Sequence, residues 1–573
     1  MAWSRRRWFI TVISVVLFFV GLRRVGPTLR RMHWRLDWSW YDMGWPGTAP
    51  TRRYHSFNHS SIDVRFSRRD PRCSKEQIFL ATRGPTTETG AFILDHTGQL
   101  QWMLPQVAPE VHDFRVQEYR GEKLLTFWAG SPGQGGKIGS WYMMDDTYTA
   151  RRRIIAHGFK HGDMHEFLLT DQGTALLTIY NPIQMDLSPI GGPEDGYALD
   201  GVFQEIDIES GEILFQWNAA AHIPASASRR DFKGCSDDPH KAFAGCGNTR
   251  EAAFDYYHIN SVQKDPLGNY LVSGRHTSSL TYIDGQSGEV LWHMGGPLNQ
   301  FKYLPDGTER LFTWQHDARL HNDSTITVLD NNAINNRGPH KESRALRLQF
   351  DAAEKTVSVQ QAFLHPQERM SYSQGNVQVL EDSGNVQVGW GNCAALTEFA
   401  HDGEMLCDAR FAPATFFPLQ PLSSYRAYRS TWVGKPKTSP SAVVYKGRIY
   451  VSWNGATEVT SWRVEGSFDG DQFSNALEVP RLDFETKISE SFGHYKSVRI
   501  AALDKDGHVL GTSDSLVPPH WLGRLFALAS PAPAAASIVA GSAICVYIAS
   551  ACLRRRRNIK HLEMGYKPVD TID

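Results

Sequence analysis

Along most of the chain, apolar positions alternate with polar ones in short runs, and each run ends at a turn built from Asp and Gly. FILDHTGQLQW (92–102), FQEIDIESGEILFQW (203–217) and YIDGQSGEVLWHM (282–294) share one plan, and TEFAHDGEML (397–406) is a shorter version of it. Period-two alternation suits a half-buried strand, and Asp and Gly close the tight turn of a hairpin. A second hairpin alternates with the first. It starts at His112 (HDFRVQEYRGEKLLTFWAG), His165 (HEFLLTDQGTALLTIYN), His258 (HINSVQKDPLGNYLVSGRH), His316 (HDARLHNDSTITVLDNNA) and Gly375 (GNVQVLEDSGNVQVGWGN). SAVVYKGRIYVSWNGA, from Ser441, reads as a sixth copy without the polar start.

Recurring inner and outer hairpins, irregularly spaced, predict an all-β fold, a six-bladed β-propeller. A propeller of seven or eight blades with degenerate members is the competing architecture. The interval between His165 and His258 is the longest, and its surplus holds a loop between Cys235 and Cys246. The predicted organisation is a stem over 26–75, the propeller over 76–465, a C-terminal β-module over 466–515 and a Pro/Ala-rich linker over 516–531.

Both ends break the alternation. WFITVISVVLFFVGL, from Trp8 to Leu22, is flanked by arginines and reads as a signal-anchor or signal peptide within residues 1–25. Residues 532–553 are apolar over the length of a membrane span, and Arg554–Arg557 mark the cytoplasmic side of a tail running over 554–573. The expected protein is single-pass or anchored at both ends, with its large domain lumenal or extracellular. Lys+Arg is 60 and Asp+Glu is 61, a balance that gives no reason to expect a nucleic-acid partner.

The cysteines fit an oxidising compartment. Cys235 with Cys246, and Cys393 with Cys407, flank two short loops and read as local disulfides, which leaves Cys73 without an evident partner. Asn58 (NHS) and Asn322 (NDS) have the form of glycosylation acceptors, Asn322 on a hairpin turn. No Cys/His spacing suggests zinc, and no metal site is expected.

In a propeller, the first residues of each inner strand line one mouth of the central channel. His165, His258 and His316 would therefore meet although they are far apart in sequence. His112 reads instead as a satisfied histidine at a strand start, and Arg275 has Asp255 or Asp317 as structural partners within reach. Asn376 and Gln378 stand where a further pocket residue would lie.

DYYHINSV (255–262), SGRH (273–276), WQHDAR (314–319), GDMHEF (162–167) and SQGNVQ (373–378) together resemble the propeller-type arylsulfate sulfotransferases, in particular their fungal membrane-associated relatives. The resemblance covers roughly residues 76–513. It implies sulfuryl transfer from a phenolic sulfate ester to a phenolic acceptor, without a nucleotide donor or cofactor, through a sulfated histidine. By position it makes His316 the nucleophile, His258 and His165 auxiliary catalytic residues, and Arg275, Asn260 and Asn376 the groups that bind substrate. Tyr256, Tyr257 and Trp314 would stack on aryl rings. The fifth hairpin opens on Gly375-Asn376 rather than His, and the sixth opens on nothing polar. An inactive propeller that binds a ligand or partner protein at the channel mouth is the alternative. A quinoprotein dehydrogenase, suggested by the Asp-Gly-Trp hairpins, would need a calcium loop and eight regular blades that the chain does not offer.

Overall fold

The computed structural model describes residues 39–518 apart from 85–89, 105–107, 134–135, 239–240, 242, 305–310, 334–341 and 421. The N-terminal apolar segment, the span expected over 532–553 and the tail over 554–573 lie outside the described residues, as does the linker beyond 518. Among the described residues, no helix is long and apolar enough to cross a membrane.

The fold is all-β. Six sheets follow one another, each with four consecutive strands or their equivalent. The first runs Glu110–Tyr119, Glu122–Gly133, Gly136–Met144 and Ala150–Ile154, and the second Phe167–Leu169, Thr174–Gln184, Tyr197–Asp207 and Ile213–Asn218. The third holds Ile259–Lys264, Tyr270–Gly274, Ser279–Ile283 and Val290–Gly295. The fourth holds His316–Asn322, Thr325–Asp330, Arg344–Asp351 and Thr356–Leu364, with Lys302–Leu304 added in parallel at its outer edge. The fifth holds Asn376–Val379, Val386–Gly389, Ala395–Phe399 and Met405–Arg410, extended by Arg65–Arg68. In the sixth, Ser423–Ser430 pairs with Gln77–Arg83, which continues through Gly90–Leu94 to Leu100–Met103.

Each sheet buries apolar side chains against the next. Trp141 of the first sheet meets Phe167 of the second in one cluster, and Phe203 of the second meets Ile259 of the third in another. Clusters around Leu280 and Ile326, Leu329 and Val388, and Leu396 and Leu80 continue the series. A last cluster, around Phe79 and Phe127, joins the sixth sheet to the first. Each fully buried large apolar side chain contributes about 1.5–3 kcal/mol, and these interfaces hold the assembly together.

Amide side chains fix the inner strands against one another. Gln263 accepts the Leu320 N–H at 2.7 Å and donates to the Leu320 carbonyl at 3.0 Å. Gln378 treats Arg429 in the same way, at 2.8 Å in both directions, and Gln117 bridges the Leu169 N–H and the Phe167 carbonyl. The recurring Val-Gln of the hairpins is therefore an inter-sheet clamp.

Three expectations change. Ser441–Tyr445 is not an inner strand of a sixth blade. It pairs with Arg448–Ser452 in a separate three-stranded sheet that packs on a four-stranded one, Ser474–Pro480, Ser461–Ser467, Ser497–Leu503 and Val509–Thr512. The C-terminal module thus begins near Ser441 rather than at 466. The sixth inner strand is Ser423–Ser430, and its three companions come from the other end of the chain, where no local repeat could show it. The expected stem is also partly structural, since Arg65–Arg68 joins the fifth sheet.

The disulfides are Cys235–Cys246, as expected, and Cys73–Cys407. Cys393 is a buried free thiol. Register explains the correction: Cys407 lies opposite Glu398, whereas Cys393 sits in the turn before Ala395, which lies opposite Arg410. The two cysteines are at opposite ends of one hairpin. Asn58 and Asn322 are both exposed, Asn322 at the hairpin turn following His316–Asn322.

Candidate active site

The inner strands open with distortions. Pairing register shifts between His112 and Arg115, between Ile259 and Ser261, and between His316 and Arg319. At the same points Asp113, His258 and Asp317 adopt positive φ of 51°, 57° and 54°. None of these is glycine, so each costs backbone strain. The consequence is directional, because a bulge turns a side chain away from the regular pleat.

The side chains so aimed gather in one buried group. His165 and His258 have ring centroids 4.8 Å apart, and His165 lies 5.5 Å from Tyr425. Tyr425 in turn lies 6.4 Å from His316 and 6.1 Å from His112. His276 packs 4.6 Å from His258, and Tyr180 and Phe243 close the side of His165 and His258. Four of the six sheets thus bring a histidine to one place, and the sixth brings a tyrosine.

Hydrogen bonds fix the orientation of the rings. Asp163 takes the Nδ1 proton of His165, and Asp255 takes that of His258. His316 differs: its Nδ1 donates to the Oδ1 of Asn331 at 2.6 Å, a neutral amide. The amide cannot be reversed, since its Nδ2 donates to the carbonyls of Ser371 and Gln374 at 3.0 and 2.9 Å. His316 Nε2 is therefore unprotonated, and it accepts the Gln374 N–H at 3.1 Å. Burial pushes His316 well below the ordinary histidine range, with the charge of Arg275 acting in the same direction. Burial does the same to His258, helped by His165, Arg275 and Arg230, and to His276.

Arg275 is the cation nearest this group. It donates to His276 Nε2 at 2.7 Å, reaches the Tyr372 carbonyl at 3.4 Å and lies 4.0 Å over the Trp314 ring. Burial brings it down to about 10, so it remains charged at neutral pH. Asp255, His258 and His276 offer one donor atom each within 4.8 Å of one another, the geometry of a metal cluster. Those atoms already bond to one another and to Arg275, whose fixed charge opposes a cation there.

Below the histidines is a floor of buried charges. Glu166 binds Arg115 at 2.9 Å, Arg319 at 2.6 Å and Arg426 at 3.0 Å, while Arg426 also meets Asp113 and Arg319 meets Asp317. Burial would raise Glu166, but the Arg319, Arg426 and Arg115 guanidiniums hold it far below the carboxylate range. Asp113, Glu166 and Asp317 balance Arg115, Arg319 and Arg426. The floor is neutral as a whole and leaves Arg275 as the cation facing the rings.

His165, His258, His316 and Arg275 are brought together as the sequence suggests. Asn260 and Asn376 have engaged amide nitrogens, and the Asn260 backbone carbonyl accepts the Tyr425 hydroxyl at 3.4 Å. Asn260 donates to the Gln315 carbonyl at 2.7 Å, and Asn376 exchanges two 2.9 Å bonds with the backbone of Ala427. Both tie neighbouring sheets. Tyr256 and Tyr257 are core residues, fully buried between the second and third sheets, and Trp314 already lies under Arg275. Sequence reasoning missed Tyr425, Asn331, Gln374 and His276. It also passed over the carboxylates two residues before His165 and three before His258, a legible signal in GDMHEF and DYYHIN.

No curated protein matches the chain. Three solved structures show distant similarity. A protein of unknown function from Bacteroides caccae has 12% identity and a TM-score of 0.35, over 58% of this chain and 93% of that one. The Dos1 propeller has 11% identity and a TM-score of 0.27, over 64% and 72%. Quinohemoprotein alcohol dehydrogenase from Comamonas testosteroni has 12% identity and a TM-score of 0.28, over 66% and 61%. A family model described as Arylsulfotransferase (ASST) matches residues 115–412, just over half of the 573 residues and the stretch that holds His165, His258, Arg275 and His316, and the chain belongs to that family.

Proposed function

We propose that this protein transfers a sulfuryl group from an aryl sulfate to a phenol through a covalent intermediate on His316. The observation that carries the reading is the difference between the partners of the three histidines. His165 and His258 are each oriented by a carboxylate, Asp163 and Asp255, which leaves Nε2 of each ring as the acceptor atom. His316 is backed by the neutral amide of Asn331, which holds the ring in one tautomer with its Nε2 lone pair free of a proton.

In the first half, the Nε2 lone pair forms the N–S bond while the bond from sulfur to the aryl oxygen breaks, and the phenolate leaves with that electron pair. Nδ1 keeps its proton, so the intermediate is a sulfated imidazolium and a good leaving group. In the second half, a phenol oxygen attacks sulfur as His258 or His165 takes its proton, and the N–S electron pair returns to Nε2. Arg275 neutralises the charge on the sulfuryl oxygens in both halves. The Gln374 N–H, which holds Nε2 in the resting site, has to give way to sulfur and is then beside a sulfuryl oxygen.

The six sheets serve as blades of one propeller in this reading, with the histidines at its channel mouth. The protein faces a lumenal or extracellular space from membrane segments at its ends, and the two disulfides favour such a compartment. The test is release of nitrophenol from para-nitrophenyl sulfate by the full-length protein. Release should depend on an added phenol and vanish in His316→Ala. Release that ignores the acceptor, or survives the substitution, rejects the reading.

A further inference from the structure

Beside the histidines lies a cavity of about 680 Å³, bounded by Arg83, Glu110, Tyr372, Gln374, Gln420 and Ser423 among others. It shares a wall with the reactive group. Gln374, whose N–H points at His316 Nε2, and Tyr372, whose carbonyl meets Arg275, both face it. Displacement at sulfur places the departing phenol oxygen opposite the attacking nitrogen. Since Nε2 points at the wall formed by Gln374, the phenol lies on the cavity side. The volume is in the range that holds small aromatic ligands.

The cavity is lined by a cation, Arg83. Arg83 is held through Nε, which donates to Ser423 Oγ at 3.0 Å. Among the described residues, no carboxylate lies within salt-bridge distance of it. Glu110 is the acid that bears on it, and Glu110 is already bonded to Lys137 at 2.6 Å and His112 at 2.8 Å. Arg83 and Lys137 against Glu110 leave the cavity one positive charge in excess.

Resting on the sulfuryl-transfer reading, we propose that this cavity is the aryl subsite and that it selects phenols bearing a second anionic group, a ring carboxylate, which pairs with Arg83. Donor and acceptor phenols occupy the site in turn, so both show the preference.

The test compares para-hydroxybenzoate with para-cresol as acceptors for the full-length protein, with para-nitrophenyl sulfate as donor. The ratio of their kcat/KM values should favour the carboxylate and fall about ten-fold in Arg83→Gln, the scale of one charged hydrogen bond. Arg83→Lys, which keeps the charge, should keep the direction of the preference and guards against a folding defect in the first variant. A wild-type ratio near one, or a ratio unmoved by Arg83→Gln, overturns the proposal. Calorimetric binding of para-hydroxybenzoate separates the two claims. Binding weakened by Arg83→Gln without any transfer keeps the subsite and rejects the chemistry, and binding that is absent or indifferent to Arg83 rejects the subsite.

Discussion

Asn331 Oδ1 accepts the hydrogen bond from His316 Nδ1 at 2.6 Å and, through its own amide protons, Asn331 holds the segment from Ser371 to Gln374 that faces Nε2. One side chain thereby sets both the tautomer of His316, the proposed nucleophile, and the position of the wall in front of it. Asn331→Ala should lower kcat by roughly 10–100-fold, the usual effect of losing an orienting partner, with a smaller change in donor KM. Single-turnover kinetics read this directly, and an unchanged rate would remove Asn331 from the mechanism.

Asn376 holds the fifth sheet to the sixth through the Ala427 backbone. Asn376→Ala leaves the Ala427 N–H buried without its partner, a loss of about 1–3 kcal/mol, while the Ala427 carbonyl keeps the Gln387 amide at 3.1 Å. The melting temperature should fall while donor KM stays put. A raised KM with unchanged stability would return Asn376 to the substrate-binding set.

Stability should decline on mild acidification. Burial pushes His112 and His365 down to about 4, against 6.5 in an unfolded chain. Between those values the unfolded chain binds protons that the folded one refuses, so stability falls as pH drops from about 6.5 to about 4. Each group contributes about 3 kcal/mol across that window, and the depressed His258, His276 and His316 act with the same sign. Denaturant unfolding at pH 7 and pH 5 checks this, and equal midpoints would contradict it.

Cysteine chemistry distinguishes the two pairings of Cys407. Alkylation of the denatured, unreduced protein should label Cys393 and leave Cys73, Cys235, Cys246 and Cys407 protected, with a linked peptide pair joining Cys73 to Cys407. A linked pair containing Cys393 would contradict the structure.

The inner hairpins were legible because alternation and polar strand starts are local properties. Four of them place a histidine at the start, and propeller geometry alone makes those positions meet. Closure of the sixth sheet was not legible, since Ser423–Ser430 and Gln77–Arg83 come from distant parts of the chain. SAVVYKGRIYVS had the pattern of an inner hairpin and packs elsewhere, because period-two alternation specifies a half-buried strand and not the sheet it joins. Asn260 and Asn376 stood near the strand starts that carry the histidines, but their amides bond to the backbone of the neighbouring sheet. Asn331 escaped notice because its partner is fifteen residues away and set by hairpin register.

The central claim is that sulfur resides on His316. Rapid quenching of the full-length protein with para-nitrophenyl sulfate, in the absence of acceptor, followed by peptide mass spectrometry, tests it most directly. One SO3 group is expected on His316, formed with the nitrophenol burst and removed when a phenol is added. A burst with the label on His165 or His258, or with no protein label, would contradict it.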